Sequence, residues 1–378
     1  MPLKPSEKSK PAKRKKRKLP AFLHGPATVL IRSALTLPLV AGPDESVEIA
    51  RGIGNRFAKL PFNKKRLRQA MEHLEVAFPA MDIDQRRALA IRSYEHLFAL
   101  GAEFVLATRM LNLDSWIEHL TLGNLGPGVR ALTLDRPCIL ITGHVGNWEL
   151  IGYTIALLGF PMHAIYRPLD NAPLDRWVRR ARAMRGLVLV SKFGAMKELP
   201  PVIKRGAPVG FVADQNGGDR GVFVPFFGRL ASTYKSVGLL AMQADASIVC
   251  GYAKRLNPGE TPQRPVLFGS EAPAPASGLH YCATLTDVFG PEDWSTQPDP
   301  LFYLTARYRR AIEHMIRQAP EQYLWMHRIW RARPPHERQG KPFPPQLREK
   351  LRALPWMTDA ELALVEERSA RDGAALHR

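Results

Sequence analysis

"CILITGHVGNWELIGYTIALLG", residues 138–159, is the stretch whose reading decides the fold. Residues 138–142 are a short uncharged run, too brief for a helix and bounded by glycine, so they read as a buried strand. "GHVGN" then breaks the pattern, and Asn147 stands as an N-cap before the apolar-rich segment that follows. The same grammar recurs downstream. "PMHAIYRP" (161–168) precedes "LDRWVRRARAMRG", "LVLVSK" (187–192) precedes "AMKELPPVIKRG", "APVGFVADQ" (207–215) precedes "TYKSVGLLAMQAD", and "ASIVCGYAKR" (246–255) closes the series. Strands alternating with helices at this spacing build βαβ units. The expected class is therefore α/β, with a mostly parallel central sheet flanked by helices. Such sheets carry their sites at the carboxyl ends of strands, which singles out His144, Tyr166 with Arg167, and Asp214 with Gln215.

Upstream, "MDIDQRRALAIRSYEHLFALGAEFVLATRML" (81–111) reads as a packing helix. Asp82 caps it, Gln85 completes a capping box, and Leu89, Ile91, Leu97, Leu100 and Phe104 form an apolar stripe. The expected organisation is a basic disordered tail over 1–19, an apolar membrane-associating segment over 20–44, and a main domain over 45–335. That domain divides into a helical lead-in (45–135) and an α/β core (136–335), and a polar C-terminal tail (336–378) follows.

The 378 residues carry 54 Lys and Arg against 35 Asp and Glu, a formal +19. Such an excess points to an anionic partner. Residues 4–18 hold nine of the cations and one acid, a net +8. They run into "LPAFLHGPATVLIRSALTLPLVAG", where Arg32 interrupts an apolar stretch that would need about 20 apolar residues in a row to span a bilayer. The pair reads as a surface anchor or a marginal single span, because clustered cations beside an apolar segment favour an anionic bilayer. Cys138, Cys250 and Cys282 are widely spaced, which excludes a disulfide scaffold and a local CxxC zinc site. No nucleic-acid-binding module accompanies the charge.

GxSxG, GxxxxGK, GxGxxG and HExxH motifs are all absent. On one helix, residues five apart differ by about 140° in direction, so His144 and Glu149 meet only if the chain turns between them. "VGN" supplies that turn, leaving His144 at a strand end and Glu149 in the first turn of a helix. A carboxylate there would hydrogen-bond one imidazole nitrogen and raise the basicity of the other. A capped helix with an incidental histidine accounts for the same residues equally simply.

Four blocks decide between these readings: "GHVGNWEL" (143–150), "YRPLDNAPLDRWVRRARAMRG" (166–186), "ADQNGGDRGVFVPFFGR" (213–229) and "PEQYLWMHRIWRARPP" (320–335). Together they resemble the late acyltransferases of lipid A biosynthesis, within the lysophospholipid and glycerolipid acyltransferase superfamily, over roughly residues 20–335. The resemblance implies His144 as general base with Glu149 as its orienting partner, Arg167 on a phosphate or the developing oxyanion, and Asp214 as a carboxylate near the acceptor. It implies substrate contacts from Asn147, Tyr166, Gln215, Arg220, Arg176 and Arg179. The arginines 176, 179, 180, 182 and 185 read either as a solvated face or as a dock for an acidic carrier protein or headgroup. Val222, Phe223, Val224, Phe226 and Phe227 read as a core hairpin, with an acyl-pocket wall as the alternative. His327 is assigned no catalytic part, since an aromatic-basic cluster also suits packing at a membrane.

The implied activity is transfer of a fatty acyl group from acyl carrier protein or acyl-CoA to a lipid hydroxyl at the cytoplasmic face of the inner membrane. It needs no metal or organic cofactor and no nucleic acid, and a monomer is expected. The acceptor is a lipid A precursor or a related glycolipid, with a phosphoinositide mannoside or an amino-acid lipid as alternatives; a non-catalytic lipid-binding scaffold is the rival class. Cys250 in "DASIVCGYAKR", and Tyr234 with Lys235, stand where the family usually has smaller residues, which leaves acceptor and chain length open.

Overall fold

The computed structural model describes residues 20–36, 40, 42–112, 115–134, 136–184, 186–257, 260 and 279–377. The expected basic tail over 1–19 lies outside them, as does Arg185. The expectation of an α/β class with a mostly parallel sheet holds. Seven strands form the main sheet: β1 (Leu120–Leu122), β2 (Cys138–Thr142), β3 (His163–Tyr166), β4 (Val188–Ser191), β5 (Val209–Val212), β8 (Ser247–Arg255) and β9 (Tyr281–Phe289). Their order is β1-β9-β8-β2-β5-β3-β4, parallel at every pairing except β8 against β9. A separate antiparallel hairpin joins β6 (Val222–Phe226) to β7 (Arg229–Thr233).

β2 lies between β5 and β8 at the centre of this order and is buried along its whole length, as a two-sided parallel strand must be. Each strand the sequence indicated feeds the helix it indicated: Trp148–Leu157 after β2, Ala172–Ala183 after β3, Ala195–Lys204 after β4 and Lys235–Ala244 beyond the hairpin. The helix Ile83–Met110 starts with the Asp82 and Gln85 capping box. Its buried stripe differs from the expected one, since Leu97 faces out while Ser93, Tyr94 and His96 face in. The reason lies in their partners: the Ser93 hydroxyl donates to the Tyr323 carbonyl and the Tyr94 hydroxyl to Asn63. Buried polar groups with partners are tolerated where apolar periodicity alone would not place them.

The polar segment expected over 336–378 carries helices of its own. Helices Pro345–Arg352 and Asp359–Leu376 pack on the core through Leu351, Leu354, Leu362 and Val365. Asp372 accepts from both Arg229 of the hairpin and Arg333, a linkage between segments far apart in the chain that a local reading of polarity does not reveal. At the other end, His24–Thr36 forms a helix. No helix among the described residues is long and apolar enough to cross a membrane.

His73, on the helix Lys64–Ala77, ties the lead-in to the end of the core, residues 320–335: its Nδ1 lies 2.9 Å from the Trp325 carbonyl and its ring meets Trp330 edge-on. Burial lowers its pKa to about 4, opposed by that hydrogen bond and aided by Arg229 and His327. Burial, with Arg255 nearby, pushes His96 down as well. Each ring is therefore neutral when folded at a pH where the unfolded chain, titrating near 6.5, takes up a proton. Stability should fall as pH drops from about 6.5 towards 4, by roughly 1.4 kcal/mol per pH unit for each such group at most. Urea titrations across that range should show the loss, and His73→Asn, which keeps a donor for the Trp325 carbonyl, should make it shallower.

Candidate active site

Parallel pairing of β2 with β5 sets the geometry. Ile139 opposes Val209 and Thr142 opposes Val212 in one unbroken register. The ladder continues one step further through the Ala213 N–H to the Thr142 carbonyl at 2.8 Å. Carried two residues past each strand, the same offset sets His144 beside Asp214, and the imidazole Nδ1 lies 2.6 Å from the carboxylate Oδ1.

The loop carrying His144 is fixed on both sides. Val145 bridges Tyr323, the Leu324 N–H donates to the His144 carbonyl, and the Gly146 N–H donates to the Gln322 carbonyl. Gly146 is needed there: its φ is +58°, and a Cβ would lie 2.1 Å from the Ala253 carbonyl oxygen. Asn147 caps the helix Trp148–Leu157 through the Leu150 N–H, while its amide donates to buried Glu103, itself paired with Arg255. Asn147 thus anchors the backbone and does not line the cavity beside His144.

Asp214 is 1 % exposed. Burial alone would raise its carboxyl pKa, but attraction and hydrogen bonding from His144, with help from His327, hold it well below the usual carboxylate range. An ionised carboxylate only accepts, so the His144 Nδ1 carries a proton, and in the neutral imidazole Nε2 is then the acceptor. Beyond this pair stands His327, its Nδ1 3.9 Å from Asp214 Oδ2 and its ring perpendicular to that of His144 at 4.6 Å between centroids.

Glu149 takes a different partner from the one the sequence reading gave it. Its two carboxylate oxygens accept from Arg182 at 2.9 and 2.5 Å. The guanidinium, on the helix packed after β3, offers two donors in a fork where an imidazole offers one. The place expected for Glu149 on the imidazole is filled by Asp214, brought in by strand register from 70 residues away.

These groups stand at one end of a cavity of about 730 Å³. His144, Glu149, Tyr166, Arg167, Arg182 and Gln215 line it, and Arg167 is solvent-exposed at the end of β3. Its other walls are mostly apolar and reach back to the beginnings of the strands, through Leu140, Met162, Leu187 and Leu189, with Ile151 and Ile155 from the helix Trp148–Leu157, while Asp175 and Lys192 add charge. Arg176, Arg179 and Arg220 are exposed and do not line it, although the Arg179 guanidinium lies 5.7 Å from the Tyr166 ring centre. Val224, Phe226 and Phe227 are fully buried in the core and form no part of the cavity wall.

Among the described residues, His144, Asp214 and His327 are the three whose ligand atoms lie close enough for a metal, within 4.8 Å of one another. Two imidazoles and a carboxylate suit a transition metal by type. Two ligands of one tetrahedral zinc stand about 3.3 Å apart, whereas His144 Nδ1 and Asp214 Oδ1 are 2.6 Å apart, a separation bridged by a proton.

A histidine held by a buried carboxylate beside a largely apolar cavity is an arrangement suited to proton transfer. The sequence comparisons give the family. The pattern of the bacterial lipid A biosynthesis acyltransferases matches residues 26–263, and the chain belongs to that family: it is an acyltransferase. It is 26% identical to the lipid A biosynthesis lauroyltransferase of Escherichia coli K12 over 290 residues, 75% of this chain and 85% of that one. The palmitoleoyltransferase of the same strain is also 26% identical, over 289 residues and the same shares of each chain. A lipid A biosynthesis acyltransferase of Haemophilus influenzae is 22% identical, covering 71% and 77%.

Sequence reasoning missed Arg182 as the partner of Glu149, though it lay in the arginine series already noted. It set His327 aside, and nothing in the local sequence joins Asp214 to His144. If Glu149 and Arg182 act as one unit, Glu149→Gln and Arg182→Gln should lower turnover by similar factors. The double variant should then lose little more than either single one. Steady-state kinetics of the three proteins checks this, and multiplied losses would separate the two residues.

Proposed function

We propose that the chain moves a fatty acyl group from a thioester, on acyl carrier protein or coenzyme A, to a hydroxyl of a lipid A precursor or related glycolipid. The observation that carries this reading is the 2.6 Å contact between His144 and buried Asp214 at the end of an apolar cavity. His144 Nε2 takes the proton of the acceptor hydroxyl as its oxygen attacks the thioester carbonyl. The tetrahedral oxyanion collapses, the carbon–sulfur bond breaks, and the departing thiolate takes the proton back from the imidazolium. Asp214 fixes the tautomer and stabilises the transient cation.

Arg167 at the end of β3 stands ready for the oxyanion or a substrate phosphate, a task that suits a guanidinium. The apolar walls accommodate the acyl chain. Glu149 enters this scheme by holding Arg182 in the cavity wall, beside the base and not on it.

Membrane attachment has its own support. The helix His24–Thr36 docks on the catalytic core through Thr28, whose hydroxyl donates to Asn171, and through Arg32, 5.7 Å from the Trp177 ring centre. Phe22, Val29 and Leu30 remain 78, 65 and 73 % exposed, with Arg176, Arg179 and Arg180 exposed on the neighbouring helix. Apolar side chains beside cations suit insertion into the interface of an anionic bilayer, the cytoplasmic leaflet of the inner membrane in this reading.

Purified protein given acyl carrier thioester or acyl-CoA with a lipid A precursor should yield an acceptor one acyl chain heavier by mass spectrometry. His144→Ala and Asp214→Asn should each slow transfer by about 10² to 10⁴ while binding to anionic vesicles persists. Undiminished transfer by His144→Ala would end this reading. Phe22→Ser with Leu30→Ser should weaken vesicle binding without slowing turnover of detergent-dispersed substrate.

A further inference from the structure

We propose that Arg309 is a positioning residue: a buried cation that fixes the strand end carrying Asp214 and supplies the positive field in which the His144–Asp214 pair works. The proposal rests on that pair being the base of the reaction.

Arg309, on the helix Pro300–Gln318, is 0 % exposed. Its Nη1 donates to the carbonyl of Ala213, the residue immediately before Asp214, at 3.2 Å. The guanidinium carbon lies 3.9 Å from the centre of the Phe226 ring, which seals its face. Its Nε and Nη2 have no hydrogen-bond partner among the described residues, and no carboxylate there forms an ion pair with it. Burying a guanidinium in this way is costly unless a nearby anion compensates. The acids whose field reaches it are Asp214 and Glu313. Glu313 already pairs with Arg317 and accepts from the Phe227 N–H, so Asp214 is the anion left to balance it.

The surroundings of Asp214 point the same way. Its Oδ2, the Tyr323 hydroxyl and the His327 Nδ1 are all buried and make no hydrogen bond of normal geometry among the described residues. The carboxylate is thus held by one strong hydrogen bond, from His144, and by a field. His144 on the loop after β2 and His327 hold it ionised, and its charge in turn reaches Arg309 on the helix Pro300–Gln318 and Tyr323. Arg309 in turn faces Tyr308 and Glu313 on its own helix and Tyr323 opposite, while His327 also faces His73. A cation behind Asp214 partly offsets its pull on a proton at His144, and loss of that cation would strengthen the pull.

The test is the pH dependence of kcat/KM for wild type, Arg309→Met and Arg309→Lys. With the cation removed in Arg309→Met, the acid limb should move up by about one pH unit. Arg309→Lys should lower the plateau and leave the limb in place. A lowered plateau with an unmoved limb in Arg309→Met, or no change at all, overturns the proposal.

Should Arg309→Met fail to fold, the double variant Arg309→Met with Asp214→Asn decides. It should fold, because the anion stranded by loss of Arg309 is gone; continued misfolding marks Arg309 as a packing residue and overturns the proposal. This folding measurement stands even if His144→Ala keeps full activity, so a failure of the base assignment is told apart from a failure of the Arg309–Asp214 coupling.

Discussion

Everything about this site depends on one buried carboxylate. Asp214 stays ionised, nearly without solvent, because strand register delivers an imidazole to one of its oxygens. A parallel pair holds that register across four residues, with β2 buried along its whole length. A slip of one residue would send every side chain of β5 to the wrong face, and His144 would lose its partner along with the core. The precision of the pair is inherited from the sheet, which is why a site assembled across 70 residues needs no local motif to build it.

The sheet itself was readable because its strands are short apolar runs followed by capped helices, a pattern that periodicity detects. The positions of His144, Arg167 and Asp214 at strand ends followed from the same logic. Several features did not follow. β1 has only three residues, and β9 follows a Pro-rich stretch and pairs antiparallel, so neither showed the repeating grammar. The C-terminal helices looked like a polar tail because the apolar residues that seat them, Leu351, Leu354, Leu362 and Val365, are few, and because the ion pairs of Asp372 with Arg229 and Arg333 join segments far apart in the chain.

Glu149 illustrates the limit on reading a site locally. Five residues from His144 in sequence, it had the right chemistry and a plausible turn for a direct contact. The choice between the imidazole and Arg182 was made by the packing of the helix Ala172–Ala183, which no spacing argument contains. The forked ion pair it forms is only partly exposed, at 16 and 24 % of the two side chains, and so escapes much of the screening that weakens surface pairs. A motif residue can therefore matter to a reaction by fixing a cation in the cavity wall.

The same economy explains how a chain with a formal +19 keeps ionised groups inside. Glu103 and Arg255 are both buried and directly paired, and they hold Asn147 and hence the loop that carries His144. Glu337 and Arg333 are likewise buried and paired near the hairpin. Against these, Arg309 and Asp214 are joined only through a backbone carbonyl and the field between them. Direct pairing of the two would tie up the carboxylate oxygens in a guanidinium fork and leave the imidazole a weaker acceptor. Separation keeps Oδ1 for His144 and, in the coupling proposed for Arg309, still balances the buried charge.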